Sequence, residues 1–304
     1  MRLDDPRADT LAAYLRVLRD VQPKAFLLEN VYGLAYKGKS EGLDRILSGI
    51  EQINRETGSR YCPAWQVIDA ASYGVPQHRE RVFIVAGRDG QLFRFPEPTH
   101  GEHKELEPFR TAWDALGDLP QRPNDPALRM RGKWADLLPS IPEGENYLWH
   151  TARGGGMPLF GWRTRYWSFL LKLAKDRPSW TLQAQPGPAT GPFHWTSRRL
   201  SSYELCRLQT FPDELRFDCG LNDVQRMLGN AVPSLVAEVI AREMRHQLLE
   251  GPMRKRLQLL PQRRGQAPRR ERVADVPAVF HSLAGNHAEH PGEGLGNRAR
   301  RRAA

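Results

Sequence analysis

The length of 304 residues suffices for one large domain or two ordinary domains with a sizeable core. No signal peptide and no apolar run of about 18 residues is present, which excludes secreted and membrane-spanning classes and predicts a soluble, cytoplasmic protein. The net charge of +10 is concentrated at one end: residues 251–304 carry 12 Lys and Arg against 4 Asp and Glu, and the first 250 residues carry 33 against 31. The charge therefore characterises the tail more than the body.

Three cysteines, Cys62, Cys206 and Cys219, have neither paired spacing nor the spacing of metal ligands. A disulfide framework and a metal site are therefore not expected, and the chain fits a reducing compartment.

The first elements of the chain follow from apolar periodicity. Leu11, Tyr14, Leu15 and Leu18 recur at helical spacing and predict an amphipathic helix of roughly three turns. The apolar residues 25–28 lie between Pro23 and a polar pair, which is typical of a strand buried on both faces of a parallel sheet. A second amphipathic helix ends at Gly58, and its apolar positions are Leu43, Ile46, Leu47, Ile50 and Ile53.

Residues 65–70 and 81–86 read as two strands joined by a short loop, and such a connection favours an antiparallel pair. Residues 1–92 thus resemble the second half of a doubly wound α/β sheet with an antiparallel edge. Glu29 stands at the carboxyl end of the first strand, where ligands bind in open α/β sheets. A capping or salt-bridged glutamate in a turn is an equally good interpretation of this position alone.

The composition changes over residues 93–195, where Pro, Gly, Trp and Arg are frequent and apolar periodicity is weak. Arg163 and Arg165 lie there among aromatics and glycines, a composition that suits phosphate contacts and stacking; an ordinary loop-rich domain with solvated arginines is the alternative. Helices return over residues 196–250, with Ser201 and Glu204 in a capping box and Pro233 in a first turn.

Residues 251–304 are rich in Arg, Pro and Gly with few large apolar side chains, and we expect a largely disordered tail. Its basic residues would add salt-sensitive affinity for DNA by releasing counterions. A merely solvated extension is the alternative.

Arg79 and Arg81 enter the last of the three strands two residues apart, and period-two alternation places them on one side. Two guanidinium groups on one side can bind a phosphate or a carbonyl oxygen. By itself the pattern also fits a pair of solvated surface arginines.

Four motifs occur in the order and context seen in cytosine-5 DNA methyltransferases, which the chain resembles over about residues 3–250. They are Glu29-Asn30-Val31, Gln77-x-Arg79-x-Arg81, Arg199-Leu200-Ser201 through Glu204 to Leu208-Gln209-Thr210-Phe211-Pro212-Asp213, and Gly229-Asn230-Ala231-Val232-Pro233. The variable stretch between the second and third motifs corresponds to the target-recognition domain of that family.

The resemblance implies an α/β fold: the second half of a Rossmann-like methyltransferase sheet in residues 1–92, an irregular target-recognition domain in 93–195, helices of the catalytic domain in 196–250, and the basic tail. It also implies transfer of a methyl group from S-adenosylmethionine to C5 of a cytosine flipped out of duplex DNA. Glu29 resembles the acid that hydrogen-bonds N3 and the exocyclic amine of the base, and its partial burial would raise its pKa. Arg81 resembles the cation that binds O2, and Arg79 a phosphate or local structural contact.

The resemblance further places Asn30 at the turn below Glu29, Gln77 in the DNA-binding loop, and Asn230 in the cofactor pocket. For the two asparagines a satisfied turn amide is the alternative. The sequence also departs from the family: it contains neither the Phe-x-Gly-x-Gly cofactor loop nor the Pro-Cys-Gln motif with the nucleophile. None of the three cysteines stands in a comparable context, so no nucleophile is expected in this chain and most of the cofactor site is expected outside it.

These observations favour the C-terminal part of a cytosine-5 methyltransferase, either one half of a split enzyme that acts with a separate N-terminal fragment or the truncated product of a longer gene. The resemblance also implies a cognate restriction system and a bacterial protein that associates with the nucleoid. A non-catalytic, sequence-specific DNA-binding remnant or specificity subunit is the alternative from a different class. An RNA-directed member of the family fits less well, because the long recognition-like insertion suits binding to duplex DNA.

Overall fold

The computed structural model describes residues 7–31, 41–162, 166–253 and 256–285, and these form two compact units. The first, here called the α/β unit, contains the described residues up to Phe109 together with Pro233–Leu260. The second, here called the irregular unit, contains Arg110–Val232 and the described residues from Pro261 onward. These bounds differ from the boundaries predicted at residues 93 and 196. Residues 93–109 belong to the α/β unit and residues 196–232 to the irregular unit, because their tertiary contacts lie there.

Three strands form the sheet of the α/β unit. They are β1 (Ala25–Val31), β2 (Ala64–Asp69) and β3 (Glu80–Gly87), in the order β1-β3-β2. The predicted antiparallel pairing of β2 with β3 is confirmed. However, β1 also pairs with β3 in the antiparallel sense, so the parallel pairing expected for β1 is not present among the described residues.

Two helices cover one face of this sheet: α1 (Arg7–Val21) and α2 (Glu41–Thr57). Gly58 ends α2 as predicted, since its backbone lies in the left-handed region (φ 73°) and its N–H donates to the Asn54 carbonyl at 3.0 Å. The buried core that they share with the strands comprises Leu18, Phe26, Leu28, Leu43, Ile46, Ile50, Ile53, Tyr61, Val82, Ile84 and Ala86.

The two faces of β1 differ in burial. Phe26 and Leu28 point into the core, whereas Leu27 between them keeps 37% of its surface exposed. The expectation of a strand buried on both faces is therefore wrong for the described residues, because successive side chains alternate between faces and the helical core covers only one of them. On the opposite face of the sheet, α6 (Ser234–Leu248) contacts β3.

Short elements joined by long loops make up the irregular unit, as the weak periodicity predicted. Its helices are α3 (Ala112–Leu116), α4 (Ser202–Leu208) and α5 (Leu221–Asn230), and three 3₁₀ turns span Ala135–Ser140, Tyr147–His150 and Ala278–Leu283. Ser201 and Glu204 form the predicted capping box of α4, and Pro233 is the residue before the first turn of α6. Among the described residues no helix is both long and apolar enough to cross a membrane.

Two buried ion pairs lie inside the irregular unit. Arg198 donates two hydrogen bonds to the Glu204 carboxylate, at 2.7 and 2.8 Å, and both residues are almost fully buried. The Lys175 Nζ lies 2.6 Å from the Glu143 carboxylate in a second buried pair. Such pairs stabilise a fold only when their remaining polar atoms are also hydrogen-bonded.

The segment 261–285 packs against the rest of the irregular unit rather than forming a disordered tail, which corrects the prediction for these residues. Glu271 pairs with Lys175 at 2.9 Å, and Arg270 pairs with Asp176 at 3.0 Å. Phe280 is 5% exposed and stacks on Trp134, with ring centroids 5.8 Å apart. Composition missed this packing because a few charged and aromatic anchors, rather than an apolar periodicity, attach the segment.

Candidate active site

The sheet register brings Glu29 and Arg81 together. Glu29 on β1 lies opposite Phe83 of β3, and Arg81 lies opposite Val31, so the two are diagonal neighbours on one face of the sheet. Arg81 Nε lies 3.0 Å from Glu29 Oε1. The side chains are 15% and 24% exposed, so this ion pair is partly desolvated but still accessible from solvent.

Burial and neighbouring cations have opposite effects on the pKa of Glu29. Burial raises the pKa of the Glu29 carboxyl, and the charges of Arg81 and Arg79 lower it; burial is the larger effect, and the pKa is raised above its ordinary value. The predicted upward shift is thus confirmed. A carboxyl with a raised pKa can hold a proton closer to neutral pH, which suits it to share a proton with a ring nitrogen.

Arg79 belongs to the same cluster but lies deeper. Only 1% of its surface is exposed, and burial together with the charge of Arg81 lowers the pKa of Arg79 to about 10. Both arginines lower the pKa of Glu29, and Arg81 and Glu29 both affect the pKa of Arg79, so the three side chains lie close together. The burial of Arg79 favours a local structural contact over a phosphate contact, and both stay predictions.

Asp69 anchors the loop that carries these arginines, and sequence reasoning missed it. Its carboxylate accepts hydrogen bonds from the backbone N–H of Arg79 at 2.8 Å and of Ala71 at 3.2 Å, and it lies 2.8 Å from His78 Nδ1. Burial raises the pKa of Asp69, but the bonds from His78, Arg79 and Ala71 outweigh it and the pKa is lowered. The available signal was an Asp immediately before Ala-Ala-Ser, which suits the N-cap that it forms.

The residues predicted to contact DNA lie in different environments. Gln77 is completely buried, and its contact with DNA stays a prediction. Asn30 is partly buried and its Oδ1 accepts from the Val31 N–H at 2.8 Å, which is a local backbone contact. Arg163 and Arg165 lie outside the described residues.

Asn230 belongs to the irregular unit, whereas the Glu29 cluster belongs to the α/β unit. It is the last residue of α5, and its side chain is exposed. Sequence analysis missed α5, although Leu221, Val224 and Leu228 recur at helical spacing. Gly229 beside it is required by packing, because a Cβ at this position would come within 2.4 Å of the Ala184 backbone.

None of the cysteines has the environment of an activated nucleophile. Burial on α4 raises the pKa of the Cys206 thiol to about 11, so Cys206 is protonated at neutral pH. Cys62 and Cys219 are exposed free thiols, and neither belongs to the Glu29 cluster.

The described residues do not fit a complete cofactor site. The α/β unit offers three antiparallel strands, and the described residues include no glycine-rich turn between a strand and a helix of the kind that cradles a nucleotide.

The motifs and the family comparison agree on the class of protein. The family model for C-5 cytosine-specific DNA methylases matches residues 1–246, and the chain belongs to this family. Members of the family use S-adenosylmethionine.

Two curated relatives are type II methyltransferases. M.SacI of Streptomyces achromogenes is 44% identical over 262 residues, which cover 80% of this chain and 65% of that protein. M.NgoFVII of Neisseria gonorrhoeae is 34% identical over 239 residues, covering 76% of this chain and 61% of that protein. The chain thus spans somewhat less than two thirds of the length of these relatives.

The fold has a counterpart among solved structures. A DNA modification methyltransferase encoded within an Escherichia coli prophage matches with a TM-score of 0.53 at 20% identity, over 81% of this chain and 76% of that one. This likeness supports the α/β methyltransferase fold.

Proposed function

We propose that this chain is the part of a DNA (cytosine-5) methyltransferase that binds the target duplex and holds the flipped cytosine, while the methyl group comes from S-adenosylmethionine. The observation that carries the proposal is the partly buried Glu29–Arg81 pair, in which a carboxyl of raised pKa lies 3.0 Å from a guanidinium. Family membership supplies the reaction class.

Each member of the pair has a distinct role in this proposal. Glu29 hydrogen-bonds N3 and the exocyclic amine of the cytosine and withdraws electron density from the ring, which makes C6 electrophilic. Arg81 binds O2, where negative charge accumulates when C6 is attacked, and a guanidinium stabilises such an oxygen by charge-assisted hydrogen bonds. In the absence of a base, the two side chains form an ion pair with each other.

The nucleophile and most of the cofactor site come, in this proposal, from polypeptide outside the 304 residues. The sequence has no Pro-Cys-Gln and no Phe-x-Gly-x-Gly, and Cys206 is protonated at neutral pH. Asn230 contributes to the cofactor pocket and Asn30 to the turn below Glu29. The duplex is the substrate, and a restriction endonuclease with the same target is the partner enzyme.

The same lack of a nucleophile favours a second candidate, a DNA-binding specificity subunit without chemistry. Adding a polypeptide that carries the two absent motifs separates the candidates. Methyl transfer to duplex DNA from labelled S-adenosylmethionine should appear only in the mixture if the first proposal is right. If the chain binds duplex DNA but no polypeptide taken from the relatives restores methyl transfer, the second candidate is favoured.

In the reconstituted enzyme, Glu29→Gln should lower the methylation rate by roughly 10²–10⁴-fold, as expected for a lost general acid. Duplex affinity should change little, because most of it comes from phosphate contacts elsewhere. Glu80→Gln is the matched control, since Glu80 is exposed at the start of β3. If Glu29→Gln lost DNA binding while turnover of the bound complex stayed normal, Glu29 would be structural.

A further inference from the structure

Two polar side chains that the proposed function does not use lie in direct contact inside the irregular unit. Lys172 Nζ donates a hydrogen bond to Ser197 Oγ at 3.0 Å. Lys172 is 3% exposed, and Ser197 is partly exposed. Both residues belong to the irregular unit, whereas the Glu29 cluster belongs to the α/β unit. We call these two residues the Ser–Lys pair.

The amine of Lys172 is buried without a carboxylate beside it. An ammonium has three donors, but among the described residues only Ser197 accepts from this one. The nearby acids Glu143 and Glu271 both pair with Lys175 instead. Burial is the main cause that lowers the pKa of Lys172 to about 8; the charges of the two acids act in the opposite direction, and the charge of Lys175 acts in the same direction. A lysine with this pKa is partly neutral at neutral pH, and a neutral amine accepts a proton.

The backbone at Ser197 is held in a conformation that residues with a Cβ rarely adopt, since its φ of 63° lies in the left-handed region. A closed turn fixes it: the Ser197 N–H donates to the His194 carbonyl at 2.9 Å, and the His194 N–H donates to the Arg198 carbonyl at 2.8 Å. The backbone of Lys172 is fixed as well, because its N–H donates to the Glu145 carbonyl at 2.9 Å. Backbone strain that the surrounding contacts hold in place concentrates at functional sites.

Ser197 lines a pocket of about 420 Å³, a volume that suits a small organic molecule. Much of its wall is apolar and is formed by Pro123, Pro126, Met130, Ala135 and Pro139. Asn124 and Arg129 add hydrogen-bond donors, and donors of this kind stabilise the oxyanion that develops when a carbonyl is attacked. The pocket therefore offers space, apolar surface and polar donors beside the hydroxyl of the Ser–Lys pair.

We propose that the Ser–Lys pair is a nucleophilic site that takes an acyl group from a small activated ester. Neutral Lys172 accepts the proton of the Ser197 hydroxyl while the Oγ attacks the ester carbonyl. The bond between Oγ and the acyl carbon forms, the bond between that carbon and the leaving oxygen breaks, and the leaving oxygen takes the proton from Lys172. The products are acyl-Ser197 and an alcohol. This chemistry is separate from methyl transfer and uses residues of this chain alone.

Acetylation of the full chain by 4-nitrophenyl acetate tests this proposal. Release of 4-nitrophenolate gives the rate, and mass spectrometry of proteolytic peptides identifies the acetylated residue and its rate of labelling. The variants are Ser197→Ala and Lys172→Met; methionine keeps an unbranched side chain of similar length but has no amine. Ser202→Ala is the matched control, because Ser202 is another partly exposed serine of the same unit. Thermal melting checks that each variant stays folded.

Ser197 should be acetylated at equal rates in the unmodified chain and in Ser202→Ala. In Lys172→Met its acetylation should be slower by roughly 10²–10⁴-fold, as expected for a lost general base. In the unmodified chain the rate should rise with pH and level off above about pH 8, where Lys172 has lost its proton, and Lys172→Met should lose this inflection. The neighbouring His194 does not contribute to the profile, because burial lowers its pKa to about 2.

Three results would overturn the proposal: acetylation of Ser197 no faster than that of Ser202, an acetyl group on Lys172 in place of Ser197, or a Lys172→Met variant that reacts as fast as the unmodified chain. If Lys172→Met does not fold, the pH profile of the unmodified chain decides, and a rate that does not level off above about pH 8 rejects Lys172 as the base. None of these outcomes depends on DNA or on methyl transfer, so the proposal stands or fails independently of the methyltransferase assignment.

Discussion

The α/β unit and the irregular unit differ in what stabilises them. The α/β unit packs two amphipathic helices on a three-stranded sheet, and its stability is shared among many apolar side chains. The irregular unit has short helices and, among its described residues, isolated β-bridges instead of a sheet. It buries two separate apolar clusters, and it adds buried ion pairs such as Arg198 with Glu204 and Lys175 with Glu143, which the α/β core lacks. A unit of the second kind can vary its loop sequences as long as a small number of anchors persist.

The largest effect on stability is expected at the buried anchor of α4. Glu204→Ala leaves the Arg198 charge buried without its carboxylate and also removes the capping box, so the free energy of unfolding should fall by about 3–5 kcal/mol. Urea denaturation measures this, with Glu214→Ala, which changes an exposed acid nearby, as the control. Equal small decreases in the two variants would mean that the irregular unit does not depend on single polar anchors.

An intermediate effect is expected in the segment that follows Leu260. Phe280→Ala removes a buried ring that stacks on Trp134 and should lower the free energy of unfolding by about 1.5–3 kcal/mol. Val279→Ala changes a neighbouring side chain that is 74% exposed, and it should be almost neutral. If the urea denaturation curves of the two variants superimpose, the segment contributes nothing to the stability of the irregular unit.

The smallest effect concerns a polar anchor in the α/β unit, Asp69, and it depends on pH. Because the folded-state pKa of Asp69 is lowered, its stabilising contribution is fully present above its unfolded pKa of about 4 and disappears as the pH falls through the lower folded value. Asp69→Asn should therefore differ most from the unmodified chain at neutral pH, and the difference should shrink in acid. Unfolding curves at about pH 6 and about pH 3, on either side of that unfolded value, provide the measurement; a difference that grows in acid would contradict this account.

The sequence by itself determined the elements whose stability is local. Apolar residues every three or four positions predicted α1 and α2, and the capping box at Ser201 and Glu204 predicted the start of α4. The four motifs that include Glu29 and Arg81 also predicted the correct family.

Tertiary structure alone decided the rest. The antiparallel pairing of β1 with β3 depends on which strand occupies the neighbouring position, and no pattern within β1 encodes that choice. Burial of Gln77 and Arg79, the anchoring of their loop by Asp69, and the packing of residues 261–285 depend on partners far along the chain. The physical reason is the same in each case: periodicity reports how a segment folds on itself, whereas a buried polar group is stable only where the complete fold provides its partner.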